Sequence, residues 1–162
     1  MKILVISANY PPNHTGGYGL RIKDIMDGIS QKGHDILILT SKPQNQGEFL
    51  NEFSKFPVIR KLHNRFYAKF FPKEVLIDIL DTKLLDKTIA KFTPDLIYLG
   101  HIYTLSKALI PFLSKCEKPT ILDEGGASLK GAWTEHGRWF RFTGDYGSKN
   151  IIIQMLKPVV IK

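Results

Sequence analysis

The chain has 162 residues, 43% of them hydrophobic, and a net charge of +8 from 23 Lys plus Arg against 15 Asp plus Glu. This size and composition fit one globular domain with a real core and exclude a disordered chain, and no apolar run reaches the roughly 20 residues that span a bilayer. The single cysteine, Cys116, excludes an internal disulfide framework and a cysteine-rich zinc site, which makes the reducing cytoplasm the expected compartment.

Lys2 to Ser7 reads as a fully buried strand, because Ile3, Leu4, Val5 and Ile6 are continuous rather than alternating. Asn9-Tyr10-Pro11-Pro12 follows at once, which leaves no room for a signal peptide. From Leu20 the period becomes helical: Leu20, Ile22, Ile25, Met26 and Ile29 form one stripe, with Arg21, Lys23, Asp24 and Asp27 outward and Gly33 as the stop. His34 to Thr40 is a second buried strand, so the first 40 residues are a βαβ unit with a right-handed crossover and a parallel pair. A loop is expected from Ser41 to Asn51, then a strand in Phe56 to Leu62. Val75 to Phe92 reads as a helix with Leu76, Ile79, Leu80, Leu84 and Ile89 on one side. Leu96 to Leu99 is the next strand, Leu105, Ala108, Leu109, Phe112 and Leu113 form a helical stripe, and Pro119 to Asp123 is a last strand. The order predicts a doubly wound α/β domain with a mostly parallel, Rossmann-like sheet. The last 40 residues read as a long loop with short helical pieces, among them Ser148 to Lys157.

In such sheets ligands bind at the carboxyl ends of the strands. The loop from Ala8 to Tyr18 leaves one of those ends. Gly16 and Gly17 let backbone approach a ligand, and the helix that follows offers free N–H groups and a positive dipole end. Phosphates or sugar hydroxyls suit that corner; the bland alternative is a surface turn shaped by Gly and Pro. Three features argue against a dinucleotide site and disfavour an NAD-dependent sugar-modifying enzyme. Gly17-Tyr18-Gly19 starts the glycine fingerprint but Ile22 occupies its third position, the glycines lie far from the strand, and Thr40-Ser41-Lys42 supplies no ribose-binding acid.

Two further strand ends carry titratable groups. His101 is placed to accept a proton or hydrogen-bond a sugar, and Asp123, followed by Glu124, to bind or deprotonate an acceptor hydroxyl. Their structural alternatives are a loop histidine satisfied by backbone and a carboxylate that caps a turn. His14, His34, His63 and His136 show no metal-ligand spacing, so no metal is expected. Lys55, Arg60, Lys61, Arg65, Lys69 and Lys73 interleave with aromatic residues, a composition that suits an anionic membrane surface or a solvated face; no nucleic-acid motif accompanies it. Trp133, Trp139, Phe140 and Phe142 suit an acceptor platform or a cover over a domain interface.

The stretch YPPNHTGGYGLRIKDIMDGISQKGHDILILTS, residues 10–41, resembles the opening of family-four glycosyltransferases of the GT-B fold. Their pattern is a strand, then YPP and GG, a helix carrying an Arg, then GH and a strand ending in TS; residues 10–12, 16–17, 21, 33–34 and 40–41 match it in order. FPVIRKL, PDLIYLGH and KPTILDE extend the likeness more weakly. Many relatives carry Glu where this chain has Gly19, and some have His near the end of the fourth strand, where His101 lies. The resemblance implies that residues 1–162 are an N-terminal, acceptor-side domain of a retaining glycosyltransferase that uses a nucleotide-diphosphate sugar, needs no metal or other cofactor, and acts on a glycan or glycolipid acceptor of envelope synthesis. Gly16, Gly17, Tyr18, Arg21 and Glu124 are then the expected substrate contacts, with His101 and Asp123 the expected catalytic groups. The donor-side domain, with its two glutamates eight positions apart, has no counterpart here, so the chain alone is expected to be inactive and open to self-association. Peripheral contact with the inner face of the membrane is expected. A different class remains open: a non-catalytic module that holds an acceptor or a partner catalytic subunit.

Overall fold

The central strand of the sheet is the first one made. In the computed structural model, which describes residues 1–13, 16–43, 54–64 and 71–123, β1 (Lys2–Ser7) pairs in parallel with β2 (Asp35–Ser41) on one side and β4 (Leu96–Leu99) on the other. Beyond them lie β3 (Val58–Leu62) and β5 (Thr120–Leu122), which gives an all-parallel sheet of order β3-β2-β1-β4-β5. The fold is α/β, doubly wound and Rossmann-like. The described residues all fall within a compact unit that spans Met1–Gly125.

The chain leaves β1 through α1 (Tyr18–Ser30) to reach β2, and leaves β3 through α2 (Phe71–Phe92) to reach β4 on the opposite side. Right-handed crossovers in opposite directions put the two helices on opposite faces. On the α1 face, Ile22 and Met26 pack with Ile3, Val5, Ile36, Ile38 and Tyr98. Strand alternation sends Leu4, Ile6, Leu37, Leu39, Ile97 and Leu99, all buried, to the other face. There α2 packs on β1, β3 and α3 (Leu109–Ser114). Among the described residues no helix is long and apolar enough to cross a membrane.

Several expectations shift. α2 begins at Phe71 rather than Val75, because Pro72 sits in the first turn, where a missing N–H costs nothing. Its buried row is Ile77, Asp81, Leu85 and Thr88, whereas Leu76, Ile79 and Leu80 are exposed. Two polar residues occupy the inner row because each is satisfied there: Asp81 by His63, and Thr88 by donating its hydroxyl to Leu84 O at 2.7 Å. Leu20 of α1 is likewise exposed, on the side of the helix away from Ile22 and Met26. Ser41 ends β2 instead of opening a loop, and its hydroxyl donates to Ala8 O at 2.5 Å. The helix expected around Leu105 is confined to Leu109–Ser114; Leu105 is buried in the turns before it. Glu124, His14, His136, Arg65, Lys69, the expected helix at 148–157 and the aromatic cluster Trp133 to Phe142 lie outside the described residues.

Candidate functional site

The order of strands reverses between β1 and β4, and a doubly wound sheet opens its ligand crevice at that point. The pairing continues past both strands: Gly100 N–H donates to Ile6 O at 2.9 Å and Ala8 N–H to His101 O at 2.7 Å. His101 is therefore fixed beside the start of the loop that leads to α1.

That loop is built from below. Tyr10 is buried in the α1-side core, and Tyr10 N–H donates to Asn13 O at 3.1 Å. Arg60 of β3 donates to Tyr10 O at 3.0 Å and also to Pro11 O. Arg60, read from the sequence as one cation of a basic run, thus braces the loop, with its guanidinium over the Tyr10 ring. Gly16 has φ of 75°, the left-handed region that glycine enters without penalty. Gly17 is the N-cap of α1 and has no side chain to cap it; a Cβ added there meets no atom within 4 Å. The first N–H groups of the helix are left for other partners.

Four of the residues singled out in the sequence meet here. Tyr18 lies against His101 with ring centroids 4.8 Å apart, and Arg21, one turn along α1, sits 5.9 Å from the Tyr18 ring. Arg21 donates to Asp123 at 2.9 Å. The other Asp123 oxygen accepts from the Tyr98 hydroxyl, so both carboxylate oxygens are engaged. Burial first, then the Asp123 bond, raises the Tyr98 pKa and keeps the phenol protonated. Asp123 is fixed in turn by its own N–H, which donates to Leu99 O at 2.8 Å. The Arg21 side chain is half exposed, so the ion pair is worth only ~0.2–1 kcal/mol; its effect is to aim the guanidinium.

His101 differs from the rest. Its Nδ1 is buried and has no hydrogen-bond partner among the described residues. Burial, and secondarily the Lys107 charge, lowers its pKa below 6.5, so the ring is neutral at pH 7 and offers one lone pair and one N–H. Among the described residues no three of His, Cys, Asp and Glu gather as a metal site.

The chain matches no protein-family model and no curated protein. Sequence reasoning missed Tyr98, Gly100 and the bracing role of Arg60. Gly100, just past β4, is closed in by α1: an added Cβ would stand 2.5 Å from Ile22 Cδ1. The signal for Tyr98 was its position two residues before Gly100, which puts it on the α1 face and under the same crevice. Nothing in the sequence marked Arg60 as a brace, because the carbonyls it holds are brought to it only by folding.

Proposed function

We propose that this chain is the acceptor-side half of a retaining glycosyltransferase that uses a nucleotide-diphosphate sugar. The observation that carries the reading is the juxtaposition of an uncapped helix N-terminus behind a double glycine with a neutral, partly buried histidine at the strand-order reversal. Helix N–H groups and the Arg21 guanidinium suit a diphosphate, and an imidazole against an aromatic ring suits a sugar. In this scheme His101 binds or orients an acceptor hydroxyl. Asp123 acts through Arg21 and Tyr98 rather than as a free base. The rest of the donor contacts come from a second domain outside this chain, and the acceptor is a glycan or glycolipid.

The reading extends to peripheral contact with an anionic membrane, at the cytoplasmic side. Lys55, Lys61 and Lys73 are exposed, as are the apolar Val75, Leu76, Ile79 and Leu80 of α2. A screen of nucleotide sugars on the complete protein, with released nucleotide as the readout, tests the activity: turnover that needs both halves supports it, and silence across all donors overturns it. A binding module is favoured by one observation, the engagement of both Asp123 oxygens. In that case acceptor binding survives with no turnover.

A further inference from the structure

A second cluster stands at the same carboxyl edge, at the ends of β2 and β3. Lys42 follows β2, His63 follows β3, and Lys42 N–H donates to Leu62 O at 2.8 Å, which ties the two ends together. Asp81, fully buried on α2, accepts from the His63 backbone N–H at 3.2 Å and from the ring Nδ1–H at 2.7 Å. The other ring nitrogen, Nε2, lies 3.1 Å from Lys42 Nζ. An ammonium can only donate, so Nε2 accepts and the ring hydrogen sits on Nδ1. The result is a directed chain of buried carboxylate, imidazole and exposed ammonium.

We propose that Lys42 is the contact for an oxyanion of a ligand, a phosphate group by preference, and that His63 and Asp81 are positioning residues that aim it. Lys42 has no carboxylate partner within ion-pair distance among the described residues. One of its three N–H bonds goes to the His63 ring, which leaves two to donate elsewhere. A long lysine side chain costs entropy to hold in one place, and the imidazole contact defrays that cost before a ligand arrives. β2 and β4 flank β1, so this subsite lies roughly 10 Å along the sheet edge from His101. The inference does not depend on the sugar chemistry proposed for the other cluster.

The test is a titration of the full chain with inorganic phosphate, read on the His63 ring nitrogens by NMR. Saturable shifts are expected, weakened about tenfold or more in Lys42→Met and retained in Lys42→Arg. Followed on the Lys42 backbone amide instead, His63→Ala weakens binding, and His63→Gln, which places an oxygen near the Nε2 position, restores part of it. Glycerol 3-phosphate and phosphatidylcholine vesicles with and without phosphatidic acid separate a soluble ester from a lipid headgroup: a Lys42-dependent response to either supports the subsite and names its source. Equal phosphate affinity in the parent chain and Lys42→Met, or no shift at His63, overturns the proposal.

Discussion

Gly17 and Gly100 use the same missing side chain in opposite ways. Gly100 is closed in by Ile22, whereas Gly17 faces open space at an ordinary φ of −75°. Gly17→Val is therefore expected to leave the fold and its unfolding midpoint almost unchanged and, on the proposed function, to abolish transfer by the complete protein, because the branched side chain fills the approach to the helix N-terminus. Circular dichroism and nucleotide release, measured together, check both halves of that statement. His101 gives a second outcome. Its folded pKa is lowered below 6.5 by burial, so between the folded value and 6.5 the unfolded chain binds more protons. Stability is fully present above about pH 6.5 and falls as pH drops toward the folded pKa. Urea midpoints of the parent chain and His101→Gln across that window should show the slope shrink in the variant. Much of the site was legible because strand ends are easy to find: His101 and the double glycine follow buried apolar runs, and Asp123 follows the short apolar strand β5. The support beneath them was not, since Arg60 and Tyr98 act through two carbonyls and a carboxylate brought close only by folding.

At the level of elements, strands were easier to read than helix faces. Fully buried parallel strands announce themselves as unbroken apolar runs, and β1 and β4 fall where those runs predict. α2 offered two candidate rows, and the more apolar one faces outward, because His63 makes Asp81 buriable. That outward row makes a prediction. Vesicles containing phosphatidylglycerol should co-sediment the protein, and changing Lys61 and Lys73 to Gln together with Leu76 and Leu80 to Ser should release it. Unchanged sedimentation in the fourfold variant would refute the membrane contact. The end of the same helix carries a local cost. Thr93 has φ of 49° while its N–H donates to Ile89 O at 2.8 Å, a left-handed helix stop occupied by a β-branched residue. Thr93→Gly is expected to raise stability by about 1 kcal/mol, read as a higher urea midpoint with an unchanged slope.

For the whole molecule, an exposed sheet edge makes a prediction about association. β5 is paired only with β4 among the described residues, and Ile121 and Leu122 on it are 48% and 38% exposed. An apolar, exposed edge strand invites pairing with a second chain. Light scattering should give a mass that rises above 18.5 kDa with concentration, and Ile121→Lys should return it to the monomer value. A mass of 18.5 kDa at every concentration removes the association.

The central place of β1 also has a meaning in time. A ribosome releases β1 first and β2 soon after, but the far side of β1 waits for β4, whose first residue, Leu96, comes 55 positions after Ser41. At about 5–20 residues per second, that edge of the nascent sheet stands open for roughly 3–11 seconds. During that interval Ile3, Leu4, Val5 and Ile6 are a bare apolar strand on an unfinished chain, the kind of surface that holding chaperones capture.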